Sequence, residues 1–195
     1  GSYLDPKGKV GLAVAVAQQM RVGGTKTYSA NQFDEEADFL AATLNSGMAG
    51  TQATASLNCL SKDLGKGMAL FFEMLKNPRF QQERLDLYKS QMIQNMERRN
   101  DRTDTILARE WGRLMRGTHH FSTAEPTGAS VESFSREDLV EFHDKYYHPG
   151  SFIFAISGDF QVAEMEAQLE AMIEGWPAQT KPIPPVPQPD FTPQP

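Results

Sequence analysis

Apolar residues recur every three to four positions along most of this chain, and that period predicts helices. From about Lys9 to Val22 the side chains are mostly small, with Gly11, Ala13, Ala15 and Ala17 in sequence. A helix of this kind can press closely on its neighbours, and Gly23-Gly24 supplies its C-terminal stop. Ser29 with Gln32 has the form of a capping box. Phe33, Ala37, Leu40, Ala41 and Leu44 follow at helical spacing, predicting a helix that ends in a turn at Asn45-Ser46-Gly47. The period then changes to two. "GTQATASLNCLS" alternates and is rich in Thr, which predicts a strand. "KDLGKGMALFFEMLKNP" returns to helix and stops at Pro78. Gln81 to Asn100 reads as a long polar helix with Leu85, Tyr88, Met92 and Met96 as its buried stripe. "DRTDTILAREWGRLMRG" is a further helix capped by Thr103 or Asp104, and "GTHHFSTAEPTGAS" is loop. Ser135 with Asp138 opens the helix "SREDLVEFHDKYYH". The near-continuous apolar run "SFIFAISGDF" predicts a buried strand, and "QVAEMEAQLEAMIEGW" a last amphipathic helix.

Two strands among so many helices indicate an α+β arrangement, with further strands expected in the ambiguous segments or upstream of Gly1. Residues 1–177 read as one domain. Residues 178–195, including "KPIPPVPQPDFTPQP", read as a Pro-rich interdomain linker, coreless and polyproline-like.

Composition narrows the function classes. With 195 residues and 39% hydrophobic content, the chain can bury an ordinary core. A net charge of −6 is the wrong sign for neutralising nucleic-acid phosphates. No apolar run approaches the ~20 residues that span a bilayer. The single cysteine, Cys59, excludes an internal disulfide or a Cys-cluster metal site and reads as a small core residue on a strand.

Candidate chemistry is sparse. His119-His120 are adjacent, so their side chains diverge; His143 and His148 are five apart, and Pro149 breaks helical geometry. No Cys or carboxylate completes a zinc set around them. No Gly-x-Ser-x-Gly elbow or phosphate loop is present, and "GDF" reads as a strand end turning into a helix. The Thr-rich strand admits two readings: a structural strand, or a sheet edge that binds extended peptides by strand addition.

Several segments in order carry a family resemblance: "DPKGKVGLA", "GGT", "LKNPRF", and "WGRLMRGTHHFSTAEPTGASVESFSREDLVEFHDKYYHPGSFIFAISGDF". Together they resemble the insulinase-like (pitrilysin) zinc metallopeptidases, which include the mitochondrial processing peptidases and the respiratory core proteins. The resemblance runs to about Trp176 and implies the N-terminal half of a family chain. The implied fold is α+β, with helices packed on a mainly antiparallel sheet in a metallopeptidase half-clamshell (LuxS/processing-peptidase-like). It begins partway into the family domain, implying sheet strands upstream of Gly1. A fragment without them is expected to self-associate through the exposed face or to belong to a longer chain.

Active members carry His-x-x-Glu-His on the first helix. Counted back from "GGT", those positions are Ala15, Gln18 and Gln19; counted forward from "GLA", they are Val14, Ala17 and Gln18. Neither register supplies an imidazole or a carboxylate base. Glu97 is the nearest candidate for the family's third ligand. The resemblance therefore implies no catalytic residue, no metal ligand and no cofactor in this domain, with zinc expected only in an active partner. The family's peptide-binding edge strand falls on Thr51, Gln52, Ala53, Thr54, Ala55 and Ser56. The implied function is that of a non-catalytic domain supplying chamber wall, peptide binding and partner contacts to proteolysis by an active subunit or domain. The alternative is a structural core-protein-like assembly subunit. Implied partners are the second half of its own chain, a catalytic insulinase-like subunit, or both, together with peptide substrates. Bacterial cytoplasm and periplasm both remain open as the compartment.

Overall fold

The computed structural model describes residues 1–177 and 182–188. The chain starts with a single 3₁₀ turn at Ser2–Leu4 and enters α1, Leu12–Val22. Asp5 fixes that entry. Its carboxylate accepts hydrogen bonds from the amides of Gly11 and Ala13, both at 2.7 Å, satisfying donors that the helix itself cannot. Gly11 sits at φ +99°, and a Cβ there would lie 3.0 Å from Pro126 Cγ, so the position demands glycine on two counts.

Ser29 and Gln32 form the expected capping box at the start of α2, Ala30–Phe39. That helix is shorter than its apolar spacing suggests. Ala41 adopts φ +46°, and Leu44 is already in β1, Thr43–Ala49. Asn45-Ser46-Gly47 is therefore strand, and the chain reverses instead at Gly50-Thr51. β2, Gln52–Asn58, pairs antiparallel with β1 in the register Leu44↔Leu57, Ser46↔Ala55, Met48↔Ala53. Cys59 lies just past β2, half-buried rather than in the core.

Five helices of three or more turns and one short one follow: α3 Leu64–Lys76, α4 Gln82–Glu97, α5 Thr103–Arg116, α6 Gly128–Glu132, α7 Arg136–Tyr146 and α8 Val162–Ile173. α6 begins within the segment expected to be loop, where Thr127 and Ser130 make a reciprocal cap, and ends two residues past it. The N-cap of α5 is Arg102, not Thr103 or Asp104, and its side chain makes no capping bond. Ser135 and Asp138 cap α7 as expected.

One correction concerns the apolar run after α7. Residues 152–157 are assigned no regular secondary structure and no ladder partner among the described residues. Phe152 and Phe154 turn inward while Ile153 is 97% exposed. The alternation is that of a strand, but the pairing that would bury both faces is not made.

The fold is α+β, with helices gathered around a two-stranded antiparallel sheet. The main core joins Leu12, Val16 and Met20 of α1 with Phe33, Leu70, Met74, Leu85, Leu139 and Phe142 from α2, α3, α4 and α7. A smaller cluster holds α8 through Met68, Phe72 and Met165. Two separated sequence motifs meet in a single latch. The amides of Arg79 and Gln81 donate to the carbonyls of Gly24 and Gly23, both at 2.9 Å, and Thr25 bridges Pro78. "GGT" and "LKNPRF" thus share one backbone-paired junction that locks the end of α1 to the start of α4.

Candidate functional site

α1 is the centre of the candidate site, and small residues determine how it sits. Ala13, Ala15, Val16 and Ala17 are fully buried, so the helix is sunk among its neighbours on most of its circumference. Ala15 is 0% and Gln19 1% exposed, whereas Gln18 faces solvent; in the alternative register Val14 is half-buried and Ala17 buried. The structure therefore places Ala15 and Gln19 in core positions and leaves Gln18 alone at the surface. A methyl group and two neutral carboxamides offer neither the imidazole nor the carboxylate donors that zinc takes, so the residues present do not fit that ion. Gln19 Oε1 is buried and makes no hydrogen bond. Glu97 ends α4 on its exposed side.

At the C-terminal end of α1, Arg21 ties the helix to the hairpin. Its Nε donates to the Leu44 carbonyl at 2.9 Å, and its Nη1 pairs with Asp34 at 2.6 Å. The hairpin is thereby held in a fixed relation to the motif positions.

A groove of about 520 Å³ opens between the hairpin and residues 152–154. Thr51, Gln52, Ala53, Thr54 and Ala55 line one wall, and Phe152, Ile153 and Phe154 the other; Ser56 is not among the lining residues. The floor includes Phe71, Phe142 and Tyr147. Among the described residues β2 is paired only with β1, so its other edge carries unpaired backbone groups. The Tyr147 hydroxyl is buried without a partner, and burial pushes its pKa well above the ordinary tyrosine value. Such a hydroxyl stays protonated and offers a hydrogen-bond donor. Sequence reasoning assigned no role to Tyr147; its only sequence signal was its place in the "YYHP" stretch.

The histidines are dispersed. His143 is a core residue: Nε2 lies 2.8 Å from the Leu75 carbonyl and its ring stacks on Tyr147 at 5.2 Å. His148 is buried with neither ring nitrogen bonded. His120 instead caps a 3₁₀ turn, accepting from the Ser122 amide. Among the described residues no three His, Cys, Asp or Glu side chains gather as a metal site, and no helix is long and apolar enough to cross a membrane.

This architecture is that of a known peptidase fold, and the sequence agrees. The profile of the insulinase family (peptidase family M16) matches residues 1–126, and that of the peptidase M16 inactive domain matches residues 133–195. The chain belongs to the insulinase family of peptidases. An uncharacterized zinc protease of Rickettsia bellii (strain RML369-C) is 22% identical over 173 residues, covering 88% of this chain and 42% of the relative. The crystal structure of a peptidase M16 inactive domain from Pseudomonas fluorescens superposes with a TM-score of 0.82 at 25% identity, over 97% of this chain and 46% of that one. The periplasmic protease PqqL from Escherichia coli shares the fold with a TM-score of 0.81 at 19% identity, over 96% of this chain and 22% of that one. The chain thus spans less than half the length of these proteins.

Proposed function

We propose that this chain is a non-catalytic domain of an insulinase-family assembly. It supplies part of the chamber wall and holds extended polypeptide, while zinc and hydrolysis belong to an active subunit or domain. The observation that supports this most is the state of α1. The fold matches an M16 inactive domain with a TM-score of 0.82, while the motif positions Ala15 and Gln19 are buried packing residues. Gln18 has no proton-accepting group to replace the Glu that activates water.

Peptide holding is assigned to Thr51–Ser56 and the groove beside it. Strand addition draws affinity from main-chain hydrogen bonds and tolerates varied side chains, which suits an unspecialised polypeptide substrate. Residues 1–177 form the domain and 178–195 the linker toward a second half. Most of that linker lies outside the described residues, although the Tyr3 hydroxyl donates to the Pro184 carbonyl at 3.1 Å.

The test is co-purification of the full-length protein, followed by a peptidase assay of each component alone and together. The reading requires turnover that depends on the co-purifying active subunit or domain and rises when this domain is present. Equal turnover by the active component with and without this domain would refute it.

A further inference from the structure

Residues 182–188, in sequence Pro-Ile-Pro-Pro-Val-Pro-Gln, lie against the domain although they form no helix or strand. Four of the seven are proline, which holds φ at about −65° and favours the polyproline helix of about three residues per turn. The contacts follow that period. The carbonyls of Pro184 and Pro187, three apart, both accept hydrogen bonds from the domain. Tyr3 Oη donates to the first at 3.1 Å and His120 Nε2 to the second at 3.4 Å. His120 Nδ1 already accepts from the Ser122 amide, so a neutral ring carries its proton on Nε2, the atom that meets Pro187. The apolar side chains keep the same spacing. Val186 is half-buried, and Ile183, three residues before it, lines the groove beside Tyr3 and Leu4. The four prolines are exposed.

The receiving surface is aromatic and is built from two distant parts of the chain. Tyr3 belongs to the 3₁₀ turn Ser2–Leu4, and His120 and Phe121 open the 3₁₀ turn Phe121–Thr123. The Tyr3 and Phe121 rings meet edge-on at 5.7 Å, and His120 lies 4.4 Å from Phe121. All three are half-buried and form one continuous platform. Aromatic surfaces take Pro-x-x-Pro segments because such a ligand arrives already extended, with its carbonyls unpaired and little entropy left to lose. Residues 184–187 are a segment of this kind. The structure assigns to Tyr3, His120 and Phe121 a polyproline-binding seat whose occupant is this chain's own residues 182–188. A tethered segment meets its seat at an effective concentration of about millimolar, so modest contacts suffice to keep it there. Seated, the segment builds Ile183 into the wall of the groove.

Titration of the full-length protein with a fluorescein-labelled synthetic peptide of residues 182–188, read by fluorescence anisotropy, tests this. The natural chain should bind the peptide at least about tenfold more weakly than the variant Pro184→Gly, Val186→Gly, Pro187→Gly, whose own segment has lost its stiffness and its anchor and leaves the seat open. Adding Tyr3→Phe to that variant keeps the ring and removes the donor, and should weaken the peptide about fivefold, as for one lost hydrogen bond. Adding Phe121→Ala should remove saturable binding, whereas Phe39→Ala, at a position 78% exposed on α2, should leave it unchanged. Equal affinity of the natural chain and the triple glycine variant overturns the seat, as does a triple variant that shows no saturable binding. Affinity unmoved by both Tyr3→Phe and Phe121→Ala does so too, because the peptide then binds elsewhere. A block in the natural chain that disappears on dilution names a second copy's segment as the occupant and overturns the intramolecular assignment.

Discussion

Gln19 is a packing residue of α1 that carries a polar cost. A buried carboxamide oxygen without a partner costs on the order of 1–3 kcal/mol relative to a satisfied or apolar group. Gln19→Met keeps the volume and removes the orphan oxygen. Chemical denaturation should show a gain of about 1 kcal/mol; a clear loss would mean that Gln19 has a polar partner and a role beyond packing. Asp138 gives a prediction of opposite character. Burial pushes its carboxyl up, but the Lys9 ammonium and the amide and hydroxyl of Ser135 outweigh burial, so its pKa lies below the ordinary 3.8. A depressed carboxyl stabilises the fold above its unfolded pKa, and that contribution disappears as pH falls through the folded value. Stability of the natural chain should therefore fall more steeply below about pH 4 than that of Asp138→Asn, read as melting temperature against pH.

Among the elements, α1 and the hairpin carry the functional reading. Restoring the motif with Ala15→His, Gln18→Glu and Gln19→His puts an imidazole where a fully buried alanine methyl packs. Overpacking of that kind costs about 1–3 kcal/mol, so the triple variant should melt lower and turn over peptide poorly even where it binds zinc. Robust turnover would show that the supporting shell of an active site survives around α1. The hairpin edge can be probed with Ala53→Pro and Thr54→Pro. Successive amides along a strand point to opposite edges. One of these prolines should break the β1 ladder and lower stability, and the other should weaken peptide binding with the fold intact. If neither changes peptide binding, the edge is not the docking strand. Legibility in the sequence differed by element. Caps were readable because Ser29–Gln32 and Ser135–Asp138 state their own geometry. The end of α2 was not, since Leu40 and Leu44 are buried at helical spacing while the break is made by Ala41, a residue that gives no turn signal. The run at 152–157 advertised burial, but burial depends on a flanking strand that composition cannot supply. For α5 the periodicity predicted a helix and gave no hint that Glu125, twelve residues beyond Arg113, would hold its arginine face inward.

For the whole molecule, the order of the motifs was enough to foresee the fold, and "GGT" and "LKNPRF" prove to be bound to each other by backbone pairing. The groove was only half visible. Thr51–Ala55 were readable as a strand edge, but Phe152 and Tyr147 come from distant segments that only tertiary packing brings opposite them. The central claim is that this domain keeps the peptidase fold and has given up the chemistry. The most direct measurement is metal content and peptidase turnover of this chain after zinc reconstitution, compared with its Gln18→Ala and Gln19→Ala variants. The account predicts no stoichiometric zinc attributable to α1 and no turnover by the chain itself. One tightly held zinc per chain with peptide hydrolysis, both lost on substituting Gln18 or Gln19, would contradict it.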